Sequence, residues 1–228
     1  MQSTILHKSF PCNQLYSRII HIYELKSVRL RTTIIVMDSN TQTYSLAYRF
    51  FHHLHTVNKH RFLVMKNCFA CGLYLQGLTH DLSKYSPAEF FVSVKYYQGF
   101  RSPYMKEKSV KGYSFGWLHH KGRNKHHWEY WYDTINGVWG PQPMPYRYLL
   151  ESICDRVAAC HVYEKDAYTP SSALNYFITK HDGDNMHPDT AKKIEAMLRE
   201  IAEQGEEAAF ADFKKQWQAI KHTSQKNR

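Results

Sequence analysis

The segment YRYLLESICDRVAACHVYE, residues 146–164, indicates the fold class of this 228-residue chain. Its apolar side chains recur every three or four residues, which is the pattern of a helix with one buried face. These side chains are Leu149, Leu150, Ile153, Cys154 and Val157. Asp155 lies among them, and a buried carboxylate costs several kcal/mol unless it is paired or coordinated. The segment therefore predicts a buried helix that carries a carboxylate with a specific partner.

The chain on both sides of this segment is also helical in pattern. Residues 43–76 carry apolar side chains at helical spacing, among them Phe51, Val57, Phe62 and Leu73. Ser86, Pro87 and Glu89 predict a helix start closed by a capping box, and that helix should end near residue 98. Further helices are expected from residue 171, over 188–204 and over 206–220. Residues 99–116 are predicted to be a loop, residues 126–133 a short helix and residues 136–145 a break. No strand is expected after residue 37, so the predicted fold class is all-α.

Residues 1–36 differ from the rest of the chain. They are basic, and the stretch SVRLRTTIIVM, residues 27–37, is rich in β-branched side chains. We expect a poorly packed basic extension here, with Met37 as an alternative natural start. Residues 37–228 are then a single helical domain, with C-terminal amphipathic helices over 188–220.

The composition bounds the class of protein. No apolar run reaches the roughly 18 residues of a membrane helix, and the N-terminus has no clean signal-peptide pattern. Five cysteines are an odd number in a chain of this size, which favours a reducing compartment. We therefore expect a cytoplasmic protein without a membrane partner, in which Cys68 and Cys71 pack in a core. The net charge of +10 permits contact with nucleic acid or nucleotides.

The sequence GLTHDLSKYSP contains the first candidate metal ligands. His80 and Asp81 follow one predicted helix and precede the next, and an imidazole nitrogen and a carboxylate oxygen both suit a divalent transition metal. His60 lies upstream in NKHRFL, and Asp155 lies downstream, with Glu151 one turn before it. Together these residues predict a metal site.

A histidine cluster lies between these positions, in WLHHKGRNKHHWEYW, residues 117–131. It contains His119, His120, His126 and His127 together with three tryptophans. The concentration of imidazoles indicates that this segment completes or borders the same metal site.

The order of His60, His80-Asp81, the histidine cluster and Asp155 resembles the H…HD…H…H…D signature of HD-domain metalloenzymes. The phrases HDLSKYSPAEF, HHKGRNKHHWEYW and LLESICDRVAA also resemble a family of small bacterial and phage proteins of unknown function, over about residues 55–180. The superfamily resemblance implies an HD-domain-like helical bundle that holds one or two divalent ions of manganese, iron, cobalt or zinc.

The same resemblance implies a set of ligands. His60, His80, Asp81 and Asp155 correspond to the ligands of the first ion. For the second ion, one of His119 and His120 and one of His126 and His127 are candidates, and we prefer His120 and His126. The 20 residues from His60 to His80 are few for this superfamily, so His52, His53 and His55 are alternatives to His60.

The implied activity is a metal-dependent phosphohydrolase that acts on a nucleotide or another small phosphate ester through metal-activated water. Lys84, Arg123 and Lys125 are candidates to bind phosphate groups. Asp81 or Glu129 is the candidate to take a proton from water, although Glu129 can also orient a ligand histidine. Trp128, with Trp131 and Tyr130, can stack on a base.

Two other functions fit the same sequence. An HD-type di-iron oxygenase would use similar histidines and aspartates to activate dioxygen. A non-catalytic basic helical module would bind nucleic acid through its surface charge, with the histidines as packing groups. Ordinary roles also exist for single residues: Lys84, Arg123 and Lys125 as solvated charges, Trp128 and Trp131 as core. A second doublet, His181-Asp182, is predicted to be a loop that caps a helix rather than a second metal site.

Overall fold

The computed structural model describes residues 44–226, and within this range the fold is all-α, as predicted. The helices are α1 (Leu46–Ala70), α2 (Tyr74–Thr79), α3 (Pro87–Tyr96), α4 (Pro103–Lys111), α5 (Phe115–Lys121), α6 (Tyr146–Glu164), α7 (Ser172–Thr179), α8 (Pro188–Gln204) and α9 (Glu206–Lys226). Short 3₁₀ helices cover Leu82–Tyr85, Trp128–Trp131 and Lys165–Ala167. Two strands, β1 (Tyr132–Ile135) and β2 (Val138–Pro141), form an antiparallel hairpin. No helix of the described range is long and apolar enough to cross a bilayer.

The described residues belong to the second of the two units into which the chain divides, residues 43–228. The predicted basic extension over residues 1–36 lies outside the described residues.

Helix α6 is the centre of the hydrophobic core. It packs against α1, α7, α8 and α9. All five apolar side chains that define its predicted face are fully buried: Leu149, Leu150, Ile153, Cys154 and Val157. The core continues into α8 and α9 through Leu198, Ile201 and Phe213, which are also fully buried. The 3.6-residue periodicity of α6 thus predicted the packed face correctly.

Helix α1 buries a different face from the one that its aromatic residues suggest. Phe51 is 66% exposed and Phe62 is 61% exposed, whereas His53, His60 and Asn67 are buried. Asn67 is satisfied because its amide donates to the backbone carbonyl of Cys154 at 3.3 Å. The buried stripe of α1 is therefore partly polar, and its polar members face the rest of the molecule.

The cysteines of the CxxC pair pack in the core, as the apolar pattern predicts. Cys68 and Cys71 are fully buried beside Cys154, and the sulfurs of Cys71 and Cys154 lie 3.8 Å apart. Burial raises the pKa of the Cys154 thiol well above its usual value. The three thiols are therefore packing groups of the core.

The prediction of a loop over residues 99–116 was wrong, because α4 occupies its middle and α5 begins before its end. Pro103 lies at the start of α4, and Gly112 ends it in the left-handed conformation (φ 81°), with its N–H bonded to the carbonyl of Lys108. Proline inside the start and glycine just past the end are ordinary helix boundaries. The high content of lysine, serine and tyrosine hid these signals.

The prediction that no strand follows residue 37 was also wrong. Asn136 (φ 51°) and Gly137 (φ 79°) connect β1 to β2, and Asn-Gly favours the two-residue hairpin turn in which both residues have positive φ. The short helix predicted over residues 126–133 is limited to the 3₁₀ helix Trp128–Trp131, after which the chain enters β1.

Candidate metal centre

Three segments bring the first group of candidate ligands together. His60 is on the buried stripe of α1, His80 ends α2, and Asp155 is on α6. Arg61 fixes the end of α2 to α1, because its guanidinium donates to the carbonyl of His80 at 2.7 Å and to that of Leu78 at 3.1 Å. The chain can return from His60 to His80 in 20 residues because α1 ends at Ala70 and the short α2 turns back against it.

Asp81 lies between α2 and the following 3₁₀ helix in the left-handed conformation, with φ 52°. Non-glycine residues rarely adopt this conformation, and aspartate tolerates it better than most. Such backbone strain is frequent at functional sites. The side chain of Asp81 is 1% exposed.

The first ligand group consists of His60, His80, Asp81 and Asp155. Nε2 of His60 lies 2.9 Å from Oδ1 of Asp155 and 3.9 Å from Oδ2 of Asp81. Nε2 of His80 lies 3.3 Å from Oδ2 of Asp81 and 3.6 Å from Oδ1 of Asp155. Four ligand atoms within 4.8 Å of one another form a set that can hold a metal ion.

The second ligand group consists of Asp81, His120, His126 and His127. Oδ1 of Asp81 lies 3.4 Å from Nε2 of His120 and 3.4 Å from Nε2 of His126. The two oxygens of Asp81 therefore face different groups, Oδ2 the first and Oδ1 the second. We call this arrangement the Asp81 centre, and it comprises His60, His80, Asp81, His120, His126, His127 and Asp155.

Five of the candidate ligand atoms are buried and make no hydrogen bonds of good geometry. This applies to Nε2 of His60, His80, His126 and His127 and to Oδ1 of Asp81. Buried polar atoms in proteins almost always have a hydrogen-bond partner, so a cluster of five without a well-aligned hydrogen bond requires an explanation. A divalent cation is such an explanation, because imidazole and carboxylate groups are its usual ligands.

The outward-facing nitrogens of three of the ligand histidines are held by two buried glutamates. Oε1 of Glu151 lies 2.9 Å from Nδ1 of His80 and 3.3 Å from Nδ1 of His126. Oε2 of Glu89 lies 2.7 Å from Nδ1 of His120. A carboxylate that accepts a hydrogen bond from Nδ1 leaves the lone pair on Nε2, the atom that faces Asp81.

The prediction that Glu89 closes a capping box was therefore wrong. Ser86 makes no side-chain cap bond at the start of α3, and Glu89 is fully buried against the histidine cluster. The signal that the sequence offers is the position of Glu89 directly before Phe90 and Phe91. An acidic residue in an apolar helix suggests a buried partner, as it did for Asp155.

Strong electrostatic coupling marks the centre. Burial opposes ionisation of Asp81, but His80 and Lys84 outweigh it and hold the pKa of Asp81 well below its usual value. Burial likewise opposes the charged form of His80, but Asp81 and Asp155 raise the pKa of His80 well above its usual value. Protonated His80 supplies positive charge that balances the buried carboxylates. A divalent cation would supply this charge instead, and His80 would then bind it as a neutral ligand.

Lys84 and His127 complete the charge pattern. The ammonium of Lys84 lies 2.7 Å from Oδ2 of Asp81, and this carboxylate raises the pKa of Lys84 although burial opposes the shift. Burial, followed by the charges of His126 and His120, lowers the pKa of His127 well below its usual value. His127 is therefore neutral, as a metal ligand must be.

A cavity of about 470 Å³ borders the centre. His60, His120, His127 and Asp155 reach its wall, beside Lys84. Other lining residues include the cations Arg101, Lys108 and Arg156, the aromatic Trp128 and the carboxylate of Glu129. Its size is within the range of small-molecule sites.

The predicted substrate-binding and proton-transfer residues fall into two groups. Lys84, Trp128 and Glu129 line the cavity, and Oε2 of Glu129 is buried without a hydrogen bond. Arg123 and Lys125 do not line it. Both are exposed; Arg123 donates to the carbonyl of His119, and Lys125 lies over the rings of Tyr130 and Tyr148.

Several alternative ligands lie away from the centre. Nδ1 of His119 bonds to Glu89 at 2.7 Å, and His52 and His55 are exposed. His53 is buried and lines the cavity; burial, then Lys84, lowers its pKa to about 4. The prediction preferred His120 and His126 over His127, but the structure places His127 in the second ligand group as well.

The sequence neighbour of Asp155, the second His-Asp doublet and Trp131 also have defined positions. Arg156 does not contact its neighbour Asp155 but forms an ion pair with Asp182. His181 is 78% exposed and lies 3.7 Å from Asp184. The cap of α8 is His187, whose Nδ1 accepts from the N–H of Asp189 at 3.2 Å, so the loop that contains the second doublet supplies the cap through His187. Trp131 packs against the core and against Tyr148.

The geometry can be compared with known proteins. Neither the curated proteins nor the solved structures gave a match to this chain. A family model matches residues 49–200, which contain every member of the Asp81 centre and both glutamates behind it. The match covers about two thirds of the chain, and the chain therefore belongs to DUF5662, a family of unknown function.

Proposed function

We propose that this protein is a metal-dependent phosphohydrolase that acts on a nucleotide or another small phosphate ester. The observation that supports the proposal is the Asp81 carboxylate, which is shared by two histidine-rich ligand groups beside a cavity with a lysine in its wall. The resemblance of the ligand order to HD-domain metalloenzymes supports the same activity.

The donor atoms favour transition metals over calcium or magnesium. Each group offers imidazole nitrogens together with carboxylate oxygens, which suit manganese, iron, cobalt and zinc. The first group would hold one ion through His60, His80, Asp81 and Asp155. The second group would hold another through Asp81, His120, His126 and His127.

The protein residues have separate tasks in this proposal. A divalent cation in such a site supplies hydroxide near neutral pH and polarises a phosphoryl oxygen. Lys84, in the cavity wall and beside Asp81, would bind a phosphoryl oxygen of the substrate. Glu129 is better placed than Asp81 to accept a proton, because both oxygens of Asp81 face ligand nitrogens or Lys84. Trp128 offers an aromatic surface to the organic part of the substrate.

The test compares the two His-Asp doublets of the chain. The proteins are wild type, His80→Ala and His181→Ala, each purified without added metal. Their metal content is measured by mass spectrometry. Their activity is then measured with Mn²⁺ on p-nitrophenyl phosphate, bis-p-nitrophenyl phosphate and a panel of nucleotides. We expect bound metal and hydrolysis in wild type and His181→Ala, and a large loss of both in His80→Ala. Equal metal content and equal activity in the two variants would contradict the proposal. Absence of metal in all three proteins, even after reconstitution, with salt-dependent binding to DNA would favour the nucleic-acid-binding module instead.

A di-iron oxygenase is the second candidate. The observation that favours it is the nitrogen-rich second group, in which three imidazoles accompany one carboxylate. Iron as the metal of the purified protein, a visible absorption band and consumption of dioxygen without phosphatase activity would select the oxygenase. Manganese, cobalt or zinc with phosphate release would select the hydrolase.

A further inference from the structure

Glu89 is a buried carboxylate outside the Asp81 centre that contacts three aromatic side chains. It is fully buried in the first turn of α3. Its Oε2 lies 2.7 Å from Nδ1 of His120 and accepts from the hydroxyl of Tyr104 at 3.2 Å, while its Oε1 lies 2.7 Å from Nδ1 of His119. The two imidazoles and the hydroxyl compensate the cost of burying the charge.

The contact with His120 determines which nitrogen of that ring can bind a metal. Because Glu89 accepts a hydrogen bond from Nδ1, the proton lies on Nδ1 and the lone pair on Nε2. Nε2 of His120 points at Oδ1 of Asp81, 3.4 Å away. Asn124 fixes the backbone at this position, because its amide donates to the main-chain carbonyl of His120 at 2.8 Å.

The contacts of Glu89 reach only one of the two ligand groups. Among the hydrogen bonds and ion pairs of the described residues, none joins Glu89 to His60, His80 or Asp155. Behind the first group lies Glu151 instead, which contacts His80 and also His126. The two glutamates therefore support the two groups unequally: Glu151 contacts both, and Glu89 contacts the second alone.

We propose that Glu89 is a positioning residue that controls occupancy of the second metal position, so that the two ions of the centre bind with separable affinities. This inference rests on the proposed function only in that the Asp81 centre binds metal. Removal of the Glu89 charge should weaken the second ion by about 10- to 100-fold, the usual effect of losing an outer partner of a metal-binding histidine, and should leave the first ion in place.

The experiment measures Mn²⁺ alone, without a substrate. Metal-free wild type, Glu89→Gln and Glu107→Gln are titrated with Mn²⁺, and bound ions are counted by equilibrium dialysis and followed by electron paramagnetic resonance. Glu107 is the matched control, because it is also fully buried but bonds to Ser114, Lys111 and the N–H of Gly116 rather than to a histidine.

We expect two ions and a spin-coupled spectrum for wild type and Glu107→Gln, and one tight ion with a mononuclear spectrum for Glu89→Gln. A Glu89→Gln protein that binds two ions with wild-type affinity would overturn the proposal, and so would one that loses both ions while its circular dichroism spectrum remains that of a folded protein. If Glu89→Gln does not fold, Tyr104→Phe provides the test, since it keeps the carboxylate but removes one donor. It should change the affinity of the second ion without affecting the first, because Tyr104 and His120 contact the same oxygen of Glu89. An equal effect on both ions or on neither would contradict the inference.

The outcomes for this inference and for the proposed function are distinguishable. Two separable ions without phosphatase activity would support the role of Glu89 and contradict the phosphohydrolase. Phosphatase activity with two ions of unchanged affinity in Glu89→Gln and in Tyr104→Phe would support the phosphohydrolase and contradict the role of Glu89.

Discussion

The ion pair between Lys84 and Asp81 offers the sharpest test of the centre, because the chain contains a matched pair on its surface. Nζ of Lys84 lies 2.7 Å from Asp81, with the side chains 21% and 1% exposed. Lys215 and Asp212 have the same i,i+3 spacing at 2.8 Å, but their side chains are 77% and 45% exposed. Asp81→Asn and Asp212→Asn therefore make the same chemical change in a buried and in an exposed pair. Asparagine is suitable at position 81 because it tolerates the left-handed backbone there.

Asp81→Asn should lower the stability of the metal-free protein substantially. Breaking a buried ion pair costs about 3–5 kcal/mol, and the partial exposure of Lys84 places the expected loss at the lower end, about 3 kcal/mol. For a domain of this size each kcal/mol shifts the melting temperature by about 2–4 °C, so the variant should melt about 6–12 °C below wild type in EDTA. Asp212→Asn should melt close to wild type, because exposed pairs contribute little.

Addition of Mn²⁺ should widen the difference in melting temperature between wild type and Asp81→Asn. At a free concentration of 100 times its dissociation constant, a ligand that binds only the folded state contributes about 2.7 kcal/mol, which corresponds to a rise of about 5–11 °C for wild type and for Asp212→Asn. Asp81→Asn should gain less than about 2 °C at the same concentration, because both ligand groups have lost their shared carboxylate. Calorimetric scans with EDTA and with Mn²⁺ measure both effects. A variant that gains as much from Mn²⁺ as wild type would refute the assignment of Asp81 as the shared ligand. A variant that melts with wild type in EDTA would refute the stabilising role of the buried ion pair with Lys84.

Three further predictions concern the cavity, the core and the proton acceptor. Burial lowers the pKa of His53 to about 4. Below about pH 6.5 this imidazole is therefore protonated in the unfolded chain but not in the folded protein, and the free energy of unfolding falls as the pH is lowered from about 6.5 to about 4. Between pH 7 and pH 5, the free energy of unfolding in urea should fall by about 2 kcal/mol more for wild type than for His53→Phe. His52→Phe, which removes an exposed imidazole, should follow wild type. Parallel profiles for wild type and His53→Phe would contradict the burial of His53. Leu150→Ala should lower the free energy of unfolding by about 2–5 kcal/mol in the same assay. Phe62→Ser, at a side chain 61% exposed, should change it by no more than about 0.5 kcal/mol. A larger loss for Phe62→Ser would show that α1 buries its aromatic face. Glu129→Gln should reduce kcat for phosphate release about 100-fold or more with unchanged Mn²⁺ content, and loss of Mn²⁺ would indicate that Glu129 positions a ligand instead.

The helical fold and much of the centre were predictable from the sequence, because two signals were strong. The apolar spacing of α6 identified a buried helix, and the carboxylate of Asp155 on that helix required a partner. The order of His60, His80-Asp81 and Asp155 then suggested the first ligand group, and the structure brings these four side chains together. The first signal was periodicity, and the second was a residue whose chemistry conflicts with its apolar surroundings.

The remaining features depend on tertiary contacts that local patterns do not contain. The face that α1 buries is determined by the centre and the cavity, so His53 and His60 are inside while Phe62 is outside. Glu89 matched a local capping pattern, yet its carboxylate bonds to histidines about 30 residues later in the chain. The Asn136-Gly137 turn carried a hairpin signal, but the glycines and prolines around it suggested only a chain break.

Helix α6 explains how one imidazole can be fixed and exposed to a metal at the same time. Glu151 and Asp155 are four residues apart, so they lie on one face of the helix about 6 Å apart along its axis. The ring of His80 lies across this interval, with Nδ1 2.9 Å from Glu151 and Nε2 3.6 Å from Asp155. Glu151 therefore selects the tautomer of His80, while Asp155 faces the same side of the ring as the proposed ion. The opposite face of α6 is packed in the core, and both carboxylates are therefore on a rigid element. The spacing Glu-x-x-x-Asp beside apolar residues is the local sequence feature that organises the first ligand group.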